Sequence, residues 1–151
     1  MKLWPHAFPS HEAKLYRAAL DYDVVILFSP GGWGDVLLEK AQDFAPIIEG
    51  IRRTLDQLGY SSTTVVYTRT LPGLSGRLTG VREHFNLFEY GSRIQVREIK
   101  HLLTRFPEKY VILAGFSNGG GMCGKTIQSF VGHSRVFSIV AGVPGWYQTF
   151  V

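Results

Sequence analysis

The stretch 111–121, VILAGFSNGGG in one-letter code, constrains the fold more than any other part of this 151-residue chain. Val111–Ala114 is apolar and β-leaning, bounded by Pro107 before it and Gly115 after it, which predicts a short buried strand. The glycines that follow predict a sharp turn and then a helix. Gly115-Phe116-Ser117-Asn118-Gly119 fits G-x-S-x-G, a pattern in which the serine sits on a tight, strained strand-to-helix turn with its hydroxyl above the sheet edge. The small flanking residues have a steric reason, since only glycine lets backbone pass this close to a neighbouring strand and helix.

The rest of the chain alternates around this stretch. Residues 1–12 carry prolines with His6 and His11 and read as a lead-in, and Glu12–Leu20 predicts a short helix with Leu15, Ala18 and Ala19 on one side. Val24–Phe28 is continuously apolar, as a parallel strand covered on both faces should be. The loop 29–35, SPGGWGD, stops it. Pro46 suits a first helical turn, Ile47, Ile48, Ile51, Leu55 and Leu58 recur at helical spacing, and Gly59 is a stop. Thr63–Thr68 is β-branched and aromatic, hence a second strand. Residues 69–90 form a long connection with His84, Phe85, Phe88 and Tyr90, of the length that in compact domains often serves function. Ser92 is placed to cap the next helix, whose apolar face is Val96, Ile99, Leu102, Leu103 and Phe106, with Arg93, Arg97 and Lys100 on a solvated side. After the serine turn come a helix over 119–131 and a strand over 136–141.

The order β-α-β-α-β-α-β predicts a single α/β domain over 1–151, a three-layer sandwich with a mostly parallel sheet. Right-handed crossovers restrict the strand order, and 2-1-3-4 is expected for strands near 24–28, 63–68, 111–114 and 136–141. Strands 1 and 3 then lie side by side. Both glycine-rich loops leave their C-terminal ends, the switch point where open α/β sheets bind ligands. There the first loop would face Ser117. A serine attacking a carbonyl needs two backbone N–H groups facing the developing oxyanion, and Asn118 with Gly32 or Trp33 would supply them.

Composition narrows the alternatives. The 16 Lys and Arg against 12 Asp and Glu give a mild +4, spread without the dense run that marks a nucleic-acid-binding surface. No run approaches the roughly 18 apolar residues of a membrane span. Cys123 is the only cysteine, so no intrachain disulfide forms, and the first ten residues lack the unbroken apolar core of a signal peptide; a cytoplasmic location is expected. The sequence calls for neither a metal nor a cofactor.

The strand, the 29–35 loop, the two further strands and the serine turn together resemble the α/β-hydrolase superfamily over residues 23–142, in its serine esterase and lipase type with a compact cutinase-like core. The resemblance implies a nucleophile elbow at Ser117, an oxyanion hole, and a small-molecule ester as substrate. In that family an acid and a histidine follow the serine on later strands. Here no Asp or Glu follows Glu108, and the one later histidine, His133, should fall at the opposite end of the sheet. The expectation is therefore a domain incomplete at its C-terminus, with base and acid beyond this sequence and a partner or a further segment over the apolar 136–141 edge. His84, His133, His6 and His11 are the histidines to weigh as a base within the chain, and Asp35 is the acid nearest the loop, better placed to cap the residues after it. Trp33 and Trp146 could line an acyl pocket or pack in the core.

Two other readings stand beside this one. Gly119–Thr126, GGGMCGKT, matches the phosphate-loop pattern G-x-x-x-x-G-K-[ST], with Lys125 reaching phosphates and Thr126 holding Mg²⁺. Against it, residues 116–118 separate the motif from the strand end, and no Asp lies on the 136–141 strand to hold the metal. The other is a hydrolase-like domain that binds without catalysis.

Overall fold

The computed structural model describes residues 10–32, 38, 41–68, 88–143 and 145. The elements in chain order are α1 (Glu12–Asp21), β1 (Val24–Ser29), α2 (Ala45–Gln57), β2 (Ser62–Val66), α3 (Glu89–Arg105), β3 (Tyr110–Phe116), α4 (Asn118–Ile127) and β4 (Val136–Ala141), with a 3₁₀ turn at Gln128–Phe130. The sheet is four-stranded in the order β2-β1-β3-β4, and each pairing is parallel, which is the order expected from the sequence.

Alternation along β1 and β3 divides the core into two halves. Val25, Leu27, Val111 and Leu113 point to the face packed by Leu15 and Ala19 of α1, Ile99 and Leu102 of α3, and Cys123 of α4. Val24, Ile26, Phe28, Ile112 and Ala114 point to the other, where Phe44, just before α2, and Ile48 of α2 cover them. Every residue of β1 is buried, which explains its unbroken apolar run. Each such Val, Ile, Leu or Phe contributes about 1.5–3 kcal/mol on burial. β4 forms the edge. Its Phe137 and Ile139 continue the α2-side row past Ile112 and Ala114 but remain exposed.

Local signals and outcomes differ in places. Pro46 stands in the first turn of α2, and Gly59 takes φ +84° just after it. The second strand ends at Val66 rather than Thr68, although Tyr67 N–H still donates to Phe28 O across the sheet. Ser92 does not cap α3. That helix starts at Glu89 with Phe88 in the left-handed region at its N-cap, and the Ser92 hydroxyl donates to the Glu89 carbonyl inside the first turn. Phe88 is fully buried against Tyr67 and Met122, so tertiary packing fixes the start of the helix. The fourth helix begins at Asn118 and tightens into the 3₁₀ turn after Ile127.

Candidate active site

Ser117 joins β3 to α4. Its backbone sits at φ 53°, ψ −123°, a region that costs a non-glycine residue roughly 1–3 kcal/mol and persists only where the surroundings impose it. The surroundings here are backbone. A Cβ on Gly115 would stand 2.6 Å from the Gly119 carbonyl oxygen, and one on Gly119 would collide with the Ser29 carbonyl oxygen. Ser117 is pinned further by its N–H, which donates to Ala141 O at 3.0 Å, and by its carbonyl, which accepts from Gly121 N–H at 3.1 Å as the first helical bond.

The register of β1 on β3 pairs Ser29 with Gly115, so the glycine loop and the serine turn leave the sheet side by side. They touch. A Cβ on Gly31 would lie 3.1 Å from the Ser117 Cβ, and Asn118 Nδ2 donates to Gly32 O at 3.3 Å. Gly32 itself takes φ +58°. The N–H groups of Asn118, Gly119 and Gly120 open α4 and have no carbonyl within the helix to bond, and the helix dipole adds partial positive charge at this end. An anion developing on a carbonyl held beside Ser117 would meet that end of the helix. Trp33 and Asp35 lie outside the described residues, as do His6, His84 and Trp146.

Among the described residues no side chain hydrogen-bonds the Ser117 hydroxyl. His133, weighed as a base, lies just before β4, whereas Ser117 lies just after β3; with the strands parallel, the length of the sheet, about 20 Å, separates them. Its Nδ1 accepts from Arg135 N–H at 3.3 Å, and its ring meets Phe130 edge-on. His11 is buried rather than part of a loose lead-in. Thr68 N–H donates to its Nε2 at 3.2 Å, which requires that nitrogen to be unprotonated, and the ring stacks on Tyr67 at 4.1 Å. His101 pairs with Glu12 on the surface at 3.1 Å.

Two buried polar groups escaped the sequence reading. Thr126 Oγ1 donates to Gln95 Oε1 at 2.7 Å, and Gln95 Nε2 reaches Ser29 Oγ at 3.4 Å, linking α4, α3 and the end of β1 beneath the two loops. The available signal was Gln95 itself, a polar residue four before Ile99 on the apolar face. Glu98 accepts from His11 N–H at 3.0 Å and from Tyr67 OH at 2.6 Å. Burial, and then the nearby Glu98 carboxylate, hold the Tyr67 phenol protonated well above the usual range.

The phosphate-loop reading fails on geometry. Gly119–Thr126 lies inside α4, where N–H groups beyond the first turn belong to the helix ladder and cannot cradle phosphates. Lys125 Nζ is 3.2 Å from Glu89 Oε2, and the Thr126 hydroxyl is buried on Gln95. The Glu89 carboxyl is held below its usual range by Lys125 and then Arg93. Among the described residues no group of three or more His, Cys, Asp or Glu is placed to hold a metal, and no helix is long and apolar enough to cross a membrane.

No family model matches the sequence, and no curated protein does. A solved structure, a Trichoderma reesei cutinase in complex with a C11Y4 phosphonate inhibitor, is similar to this chain at 13% identity and a TM-score of 0.49, covering 88% of this chain and 74% of that one.

Proposed function

We propose that the chain is an α/β-hydrolase-type domain that acts on carboxylic esters through Ser117. The observation that carries this reading is the forced backbone at Ser117: a serine held at positive φ by glycine–carbonyl contacts, at the N-terminus of a helix, against a second glycine loop. Strain of this kind tends to mark functional positions, and a helix that merely needed a start would not require it. In the proposed reaction Ser117 Oγ bonds to the ester carbonyl carbon while a base takes its proton. The tetrahedral oxyanion faces the Asn118 N–H and a donor from Gly32 or Trp33, and the alcohol leaves with a proton. Water then releases the acid from the acyl-serine. Each oxyanion donor contributes about 3 kcal/mol to barrier lowering in such sites. For the base, His6 and His84, both outside the described residues, are the candidates left within the chain after the placement of His11 and His133.

A fluorophosphonate probe is expected to label the protein at Ser117, and Ser117→Ala is expected to abolish the label. Equal labelling of the two proteins would overturn the assignment. That no described side chain hydrogen-bonds the Ser117 hydroxyl favours a second reading, a hydrolase-like domain that binds without turnover. Absence of both labelling and ester turnover would select it.

A further inference from the structure

The helix that follows Ser117 is packed closely but smoothly at its start. The first turn of α4, Gly119–Gly121, carries no side chains, so its neighbours approach to backbone distance. A Cβ on Gly119 would collide with the Ser29 carbonyl oxygen, and one on Gly121 would lie 2.7 Å from the Phe88 ring. Such contacts fix how far this turn stands from its neighbours. They hold its position along the helix axis less well, because axial register comes from side-chain ridges seated in grooves, and three glycines in a row supply no ridge. Directional hydrogen bonds can supply that restraint, and Gln95 of α3 makes two. Its Oε1 accepts from the Thr126 hydroxyl of α4 at 2.7 Å, and its Nε2 donates to the Ser29 hydroxyl at the end of β1 at 3.4 Å. All three residues are fully buried. A further tie between α3 and α4, Lys125 Nζ to Glu89 at 3.2 Å, is partly exposed and restrains less.

We propose that Gln95 is a positioning residue, pinning the axial register of α4 against the end of β1. This inference rests on the reading of Ser117 as the nucleophile. Ser29 pairs with Gly115 in the sheet, two residues before Ser117, so the bonds through Gln95 relate α4 to the sheet at the level of the serine turn. Asn118, whose N–H is proposed to face the oxyanion, is the first residue of α4 and moves with the helix. A slide of about 1 Å along the axis would take that N–H off the developing charge, and misplacements of this size cost up to about a hundredfold in rate. The donor matters most once charge has formed, so the pin acts on the transition state more than on substrate binding. Glutamine suits the place because one uncharged amide accepts at one end and donates at the other, and so bridges a hydroxyl on α4 and a hydroxyl on β1.

The test compares wild type with Gln95→Met, Thr126→Val and the Gln95→Met/Thr126→Val double variant, which keep side-chain shape while removing one partner and then both. The readouts are the urea midpoint, the fluorophosphonate labelling rate, and kcat and KM on p-nitrophenyl butyrate. Each single variant leaves a buried polar group unpaired and is expected to lower the midpoint, whereas the double variant removes both partners and should regain most of the loss. Activity should not follow stability. In all three variants kcat and labelling should fall about tenfold while KM moves by less than about twofold. Activity that returns with the midpoint in the double variant, or single variants as fast as wild type, overturns the proposal. Should wild type neither label nor turn over, the hydrolase reading fails and the pin is judged by NMR. The Asn118 amide resonance should then shift in the double variant while that of Gly59 stays in place; an unmoved Asn118 resonance overturns the pin.

Discussion

The two ends of the sheet are closed in opposite ways. At the N-terminal end, polar groups satisfy one another. Ser61 N–H and Oγ–H both donate to Asp23 Oδ2, at 3.0 and 2.7 Å, while Asp23 N–H donates back to Ser61 Oγ at 3.0 Å. Arg135 donates to Glu108 O at 2.7 Å and lies over the Tyr110 ring. At the C-terminal end, closure is steric. Glycines press on carbonyls, Ser117 is held at positive φ, the first N–H groups of α4 have no acceptor within their own helix, and no described side chain hydrogen-bonds the Ser117 hydroxyl. A protein end that needed only stability would resemble the first. The second sets backbone strain at a helix N-terminus, the combination that the proposed reaction at Ser117 would use.

Glycine substitutions test the contrast most strongly. Gly119→Ala should cost about 3 kcal/mol or more, because its Cβ meets the backbone of Ser29 and Pro30 rather than a yielding side chain. Gly132→Ala, at the other end, has open space and only its φ of +79° against it, and should cost about 1 kcal/mol. Urea midpoints measure both, and equal losses would erase the distinction between the ends. Next in size is Gln95→Leu. It removes the partner of the buried Thr126 hydroxyl and the contact to Ser29, and should lower stability by about 1–3 kcal/mol in the same assay. Ser117→Gly should act in the opposite direction. Relief of the positive φ should raise stability by about 1 kcal/mol while the fluorophosphonate label disappears, and a destabilised variant would mean that Ser117 is not strained.

The smallest effect belongs to the N-terminal end. The Ser61 side chain and then its backbone N–H hold the Asp23 carboxyl below its usual range; burial opposes them, and Lys109 adds the smallest lowering effect. A carboxyl depressed in the folded state stabilises the fold above its unfolded pKa of about 4 and loses that contribution as pH falls through the lower folded value. Urea midpoints of wild type should therefore drop on acidification by slightly more than those of Asp23→Asn. Parallel pH profiles would show that the Asp23–Ser61 contact adds no pH-dependent stability.

Where the sequence was readable, the controlling forces were local or periodic. The unbroken apolar run at Val24–Phe28 and the helical spacing at 47–58 and 96–106 fixed the elements, and right-handed crossovers then restricted the strand order. The turn at Ser117 was readable because its pattern lies within five residues; Gly115 lacks room for a Cβ against Gly119 and Gly120, while Gly119 lacks it against Ser29 and Pro30 of the other loop. The start of α3 was misread because Ser92 is a good cap by chemistry, whereas burial of Phe88 against Tyr67 and Met122 decided the matter.

By itself, then, the sequence determined the alternation, the parallel sheet and the position of one strained serine, since sterics and hydrophobic periodicity act over a few neighbours. Only the tertiary structure decided which groups meet across long separations. It placed Asn118 on Gly32 and Gln95 between Ser29 and Thr126, and it buried His11 on Tyr67. It also turned the GGGMCGKT stretch into helix rather than phosphate loop. Those outcomes depend on strand register and helix packing, which no local pattern encodes, because a hydrogen bond between residues 86 apart exists only after the sheet has set both ends in place.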